Sequence, residues 1–161
     1  MAMQMEHELA RCPICSDDHR HERRDEAPRV LVAEDDPCIA NLIAYNLEQA
    51  GYEVEIAADG GEALRRLREA PPALLVLDLL LPLQSGWQVL RQIRAHEGTR
   101  LARLPVLIVT ALACERLERD LERIGAQRLL GKPFSVQVLC ATVRELIARS
   151  EDSPRVGARC A

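Results

Sequence analysis

Four short stretches of this 161-residue chain carry side chains able to do chemistry, and they lie far apart in sequence. They are the acids Glu34, Asp35 and Asp36, the acid Asp78, the hydroxyl of Thr110, and Lys132, the lone lysine of 21 basic residues. Carboxylates of Glu34, Asp35 and Asp78 brought within a few ångströms repel and raise one another's pKa. A divalent cation relieves that repulsion, and an all-oxygen site that leaves room for water suits Mg²⁺. Lys132 supplies another positive charge; either an ammonium is specifically wanted there, or an arginine-biased composition spared one lysine. Asp78 held as carboxylate beside a metal is a nucleophile for a phosphorus centre. The metal, Lys132 and Thr110 then stabilise the transferring phosphoryl oxygens. Taken singly, each residue has a plainer reading. An acid after a strand usually caps a helix, which is the reading for Asp36 with Pro37 behind it at the first helical position. A threonine at a strand end usually does nothing.

The elements that must bring these residues together are legible in the hydrophobic pattern. Short apolar, β-branched runs fall at 29–33, 53–57, 73–77, 104–109 and 127–130, the third and fourth apolar almost throughout, as strands buried on both faces are. Amphipathic helical stretches follow at about 37–50, 61–70, 86–97, 113–124 and 135–148. Asp59 with Glu62 and Ser85 with Gln88 have capping-box spacing, and Gly51 and Gly125 stand where left-handed C-terminal caps are wanted. Alternating strands and helices predict an α/β fold, a doubly wound five-stranded parallel sheet with helices on both faces. In such a fold a site lies at the carboxyl ends of the strands. Glu34, Asp35, Asp78, Thr110 and Lys132 all fall at or just past those ends, one contribution from each of several strands.

Residues 29–149 closely resemble a bacterial two-component response-regulator receiver domain of the chemotaxis-protein type. The resemblance is carried by Val30-Leu31-Val32-Ala33-Glu34-Asp35-Asp36-Pro37, by Leu77-Asp78-Leu79-Leu80-Leu81-Pro82 with Ser85-Gly86, by Val109-Thr110-Ala111, and by Gly131-Lys132-Pro133-Phe134. It implies a flavodoxin-like (βα)5 sheet of order 2-1-3-4-5. It also implies that Asp78 accepts a phosphoryl group from a sensor histidine kinase, a phosphotransfer protein or a small acyl phosphate. Glu34 and Asp35 would help hold Mg²⁺, with Asp78 and the backbone carbonyl of Leu80 as direct ligands. Lys132 would pair with Asp78 and then with the phosphoryl group, and Thr110 would move to bond it and start a switch toward a downstream protein target. The chain departs from the pattern at Leu129, where the family carries a switch aromatic. Val138 and Thr142 stand where charged dimer contacts are expected.

Two rival functions follow from the same residues. An aspartyl-phosphate phosphohydrolase needs a second acid two residues after the nucleophile, and that position is Leu80, so an enzyme is not expected. A receiver-shaped adaptor that binds without phosphorylation typically lacks the acid pair, the acceptor or the lysine, all present here.

Composition narrows the partners. A net charge of −4 argues against direct nucleic-acid binding by a basic surface, and 2% aromatic residues argue against base stacking. No apolar run is long enough to insert in a membrane, and without a recognisable signal the six cysteines are expected as reduced thiols in the cytoplasm. Cys38, Cys114 and Cys140 are expected as buried or half-buried small hydrophobes. Residues 1–28 read as a polar, flexible extension and 150–161 as a short tail with no room for an output module, which gives the expectation of a stand-alone receiver. Within the extension, Cys12 and Cys15 have the spacing of a zinc half-site that His19 and His21 would complete. Two histidines one residue apart fit poorly with the usual ligand spacings, so exposed thiols or an incidental pair are the favoured reading, ahead of that zinc site and of a redox pair.

Overall fold

The computed structural model describes residues 27–96 and 98–152. The elements alternate through β1 (Arg29–Ala33), α1 (Pro37–Gln49), β2 (Glu53–Ala57), α2 (Gly60–Glu69), β3 (Leu74–Leu77), α3 (Gly86–Ala95), β4 (Val106–Thr110), α4 (Glu115–Ile124), β5 (Arg128–Gly131) and α5 (Val136–Asp152). A short 3₁₀ turn, Leu101–Arg103, precedes β4. All strand pairs are parallel, and the sheet order is β2-β1-β3-β4-β5.

The period-2 geometry of the strands sorts the core into two layers. Val30, Val32, Leu74, Val76, Leu107 and Val109 point to the face covered by α1 and α5, where they meet Ile43, Leu47, Leu139 and Val143. Leu31, Leu75, Leu77, Val106 and Ile108 point to the opposite face, against Leu64 and Leu67 of α2, Leu90 and Ile93 of α3, and Leu121 of α4. β3 and β4 are buried along their whole length.

The helix punctuation read from sequence is present, with one variation. Asp36 Oδ1 accepts from the backbone of Cys38 at 2.8 Å and Ile39 at 3.2 Å, so this acid caps α1. Ser85 and Gln88 close a reciprocal capping box at α3. Asp59 accepts from Glu62 N, but the Glu62 carboxylate reaches back to the amide of Ala58. Gly51 and Gly125 have φ of +91° and +93°.

Some boundaries differ from expectation. β4 begins at Val106 because Leu104 N donates to Leu101 O and closes the 3₁₀ turn. α4 begins at Glu115 with Cys114 as its cap residue, and α5 runs on to Asp152. Cys38 and Cys114 are exposed, against the expectation of burial, because both stand at the start of a helix, before its apolar face meets the sheet; Cys140 is half-buried as expected. Cys12, Cys15, His19 and His21 lie outside the described residues, as does most of the tail.

Candidate functional site

Three of the candidate residues are held in place by backbone bonds that extend the sheet one step past a strand end. Glu34 N donates to Ala57 O at 3.0 Å, Asp78 N to Ala33 O at 2.9 Å, and Lys132 N to Thr110 O at 2.9 Å. The positions of these side chains are therefore set by strand register and not by loop conformation. β1 and β3 are adjacent in the sheet, which places Glu34 and Asp35 beside Asp78. Thr110 closes β4, fully buried, and its register partner on β5 is Gly131, the residue before Lys132.

The side chains converge. Lys132 Nζ lies 2.5 Å from Asp78 Oδ2 and 2.7 Å from Glu34 Oε2. The second oxygen of each carboxylate is held by backbone: Asp78 Oδ1 accepts from Leu80 N at 2.9 Å and Glu34 Oε1 from Asp36 N at 3.4 Å. Thr110 Oγ1 accepts from Leu112 N at 3.4 Å. Glu34 and Asp78 are buried, while Asp35 faces solvent.

The electrostatics follow from one ammonium facing two buried acids. Burial pushes the Glu34 carboxyl above its usual range, outweighing the hydrogen bond and charge of Lys132, and the neighbouring Asp78 charge pushes the same way. Burial works to lower the pKa of Lys132, but its hydrogen bonds to Asp78 and Glu34 prevail and hold it above the usual lysine value. The ammonium is therefore charged at neutral pH and only part of the carboxylate charge is offset.

That remainder bears on metal binding. One carboxylate oxygen from each of Glu34, Asp35 and Asp78 lies within 4.8 Å of the others. Such a hard, all-oxygen, anionic set with one solvent-facing member fits Mg²⁺, which keeps several of its waters and wants few protein carboxylates. The side chains of Leu80 and Leu112 stand at the same end of the sheet, 52% and 50% exposed. Leu129 is partly buried and packs on the core beneath α2, α3 and α4.

Sequence reasoning missed two features of this region. One is the Lys132–Glu34 ion pair. The other is the close approach of Gly86 to the backbone of Asp78, where an added Cβ would lie 2.1 Å from the Asp78 carbonyl oxygen. The Ser85-Gly86 pair was visible as a helix start, but no local signal showed what its backbone would touch.

Comparison with known proteins agrees with this fold. A family model described as the response regulator receiver domain matches residues 30–144. The DNA-binding dual master transcriptional regulator RpaA of Synechocystis is 38% identical over 130 residues, covering 80% of this chain and 52% of the relative. The chain thus spans about half the length of this curated relative. The receiver domain of the Francisella response regulator 1452 is 32% identical with a TM-score of 0.71, covering 76% of this chain and 98% of that one. The receiver domain of the sensor histidine kinase PA1611 from Pseudomonas aeruginosa was solved with a magnesium ion coordinated in its active-site cleft. It is 29% identical, with a TM-score of 0.68 and coverage of 76% and 98%.

Proposed function

Because the chain belongs to the response regulator receiver domain family, we propose that it is a phosphorylation-switched signalling module in which Asp78 accepts the phosphoryl group. The observation that carries this is the buried carboxylate of Asp78, fixed by Leu80 N on one oxygen and Lys132 on the other, beside an acidic set able to hold Mg²⁺. In the transfer, a bond forms between an Asp78 oxygen and phosphorus. The bond from phosphorus to the donor's imidazole nitrogen, or to the carboxylate oxygen of a small acyl phosphate, breaks. The electron pair leaves with the donor atom, and a phosphohistidine donor whose other ring nitrogen carries a proton ends as the neutral imidazole side chain.

Receiver domains bind Mg²⁺ at an acidic pocket, and here Glu34, Asp35, Asp78 and the carbonyl of Leu80 would hold it. The ion would supply positive charge to the phosphoryl oxygens and offset the carboxylates. Lys132 would exchange a carboxylate oxygen for a phosphoryl oxygen, and the Thr110 hydroxyl would move to bond the phosphoryl group and start the switch. The donor is a histidine kinase or phosphotransfer protein and the output is altered binding to a downstream protein. The net charge of −4 disfavours DNA as a direct ligand, and among the described residues no helix is long and apolar enough to cross a membrane. We place it in the cytoplasm on the family's signalling role.

The test is incubation with acetyl phosphate and Mg²⁺. A mass gain of one phosphoryl group supports the proposal. Continuous phosphate release from many phosphoesters would make the protein a phosphohydrolase, and no change would make it a phosphorylation-independent adaptor.

Metal binding gives a separate prediction. A ligand in hundredfold excess over its dissociation constant stabilises a fold by about 2.7 kcal/mol. Millimolar Mg²⁺ is expected to raise the thermal midpoint of the wild type and to do much less for Asp35→Ala. Equal shifts in the two proteins would show that the ion binds elsewhere.

The lifetime of the phosphoryl group gives another. Hydrolysis needs a water placed in line with phosphorus. The side chains of Leu80 and Leu112, half-exposed, offer no donor or acceptor to hold one. Leu80→Asn/Leu112→Glu is expected to shorten the lifetime about tenfold by restoring polar anchors for that water. Loss of label from purified phosphoprotein reads it, and decay no faster than wild type would show that the leucines do not set the lifetime.

A further inference from the structure

The reacting groups of the site are buried, but two side chains beside them are not. Glu34, Asp78 and Thr110 are buried, and the Lys132 ammonium is taken up by the two acids. Leu80 N donates to Asp78 Oδ1 at 2.9 Å, so covalent geometry keeps the Leu80 Cβ within about 5.5 Å of that oxygen. Leu112 N donates to Thr110 Oγ1 at 3.4 Å, which keeps the Leu112 Cβ within about 6 Å of that hydroxyl. Both leucines are nevertheless about half-exposed. They are thus anchored to the site through their amides and open to solvent through their side chains.

The loop that carries Leu80 is fixed at both ends. Gly86 N donates to Leu79 O at 3.1 Å, and at Gly60 an added Cβ would lie 1.9 Å from Gln84 O, so the loop is also seated on the start of α2. Across the site, in the loop after β1, Asp35 and Asp36 are exposed acids.

In phosphoryl transfer the attacking and leaving oxygens lie roughly in line with phosphorus. The acceptor is buried, so the donor's leaving group lies on the solvent side. An acyl group with its own carboxylate would be repelled there by Asp35 and Asp36. An uncharged alkyl chain gains apolar contact with leucine methyl groups instead. Two half-exposed leucines offer far less than the about 800 Å² per partner of a stable protein interface, and suit a short alkyl chain.

We propose that Leu80 and Leu112 are specificity-determining residues that bind the acyl chain of a small donor, so that the protein reacts faster with acyl phosphates bearing a short, uncharged alkyl chain than with acetyl phosphate. This rests on the phosphoacceptor reading above and names the donor class for the same site. A bond forms between an Asp78 oxygen and phosphorus, the bond from phosphorus to the acyl oxygen breaks, and the electron pair leaves with the alkanoate. The alkyl chain takes no part in those bonds; its contact lowers the barrier from free protein and donor.

Initial rates of mass gain with acetyl, propionyl and butyryl phosphate, each well below saturation and with Mg²⁺ present, test the proposal. These donors release carboxylates of nearly equal basicity and differ by one methylene each. Full burial of a methylene corresponds to about a fourfold change, and contact on one side to about half that free energy, so the wild-type rate is expected to rise about twofold per methylene. In Leu80→Ala/Leu112→Ala the rise from acetyl to butyryl, about fourfold in wild type, is expected to shrink below about 1.5-fold. A general disturbance of the site would lower all three rates together and leave their ratios unchanged. A flat or falling series in wild type would overturn the proposal and leave the leucines to a protein donor, and so would a double variant that keeps the wild-type ratio. The wild-type series decides even if the variant does not fold. Absence of mass gain with all three donors would overturn the phosphoacceptor reading as well, whereas gain at equal rates would overturn the acyl subsite alone.

Discussion

Replacing Lys132 with methionine is expected to cost about 3 kcal/mol of stability in metal-free buffer, the scale of removing one partner from a buried ion pair. The ammonium lies 2.7 Å from Glu34 and 2.5 Å from Asp78, and both acids are buried. Methionine fills much of the same volume, so the loss is electrostatic and not a cavity effect. Without the lysine, the two carboxylates face each other with backbone amides as their remaining partners. Mg²⁺ offers the same relief by another route, so millimolar Mg²⁺ is expected to return most of the lost stability and to stabilise Lys132→Met more than it stabilises wild type. Urea unfolding with and without Mg²⁺ measures both effects. An unchanged metal-free stability would mean that the acids are not strained without the lysine, and an equal Mg²⁺ increment in both proteins would separate the metal from that charge cluster.

Gly86→Ala is expected to be at least as damaging, at about 3 kcal/mol, the upper range for forcing atoms into a packed site. The new Cβ would stand 2.1 Å from the Asp78 carbonyl oxygen and 2.8 Å from Leu79 Cα. Both neighbours are backbone, which cannot step aside as the end of a flexible side chain can. Gly86 opens α3 and its amide donates to Leu79 O, so the strain falls on the segment that aims Asp78. Phosphoryl uptake from acetyl phosphate should therefore fall about tenfold or more even where the variant remains folded, since small misplacements of a reacting group are costly. A variant with wild-type stability and uptake would show that the loop has room the structure does not display.

Much of this fold was legible because its signals are local. Alternating apolar runs and capped amphipathic stretches gave five strands and five helices in alternation, the runs 73–77 and 104–109 read as strands buried on both faces, and the receiver resemblance supplied the sheet order. The receiver motifs named the acids, Thr110 and Lys132, and the structure brings Glu34, Asp35, Asp78 and Lys132 together at one end of the sheet, with Thr110 at the end of β4. What was not legible depends on contacts that local pattern does not encode. The Lys132–Glu34 pair joins residues 98 apart, and Arg94 reaches a carbonyl 31 residues away. Nothing local in the sequence distinguishes Arg94 from Arg91 on the same helix. Cys38 and Cys114 misled for the converse reason: they sit in apolar-patterned segments, but helix starts project past the layer that the pattern describes.

The central claim is that Asp78 is the phosphoacceptor, and intact-mass measurement of wild type and Asp78→Asn during incubation with acetyl phosphate and Mg²⁺ tests it most directly. Asparagine keeps the shape of the side chain and removes the nucleophilic charge. The account predicts that wild type gains a single phosphoryl group and that Asp78→Asn gains none on the same timescale; a variant that gains it at the wild-type rate would contradict the assignment.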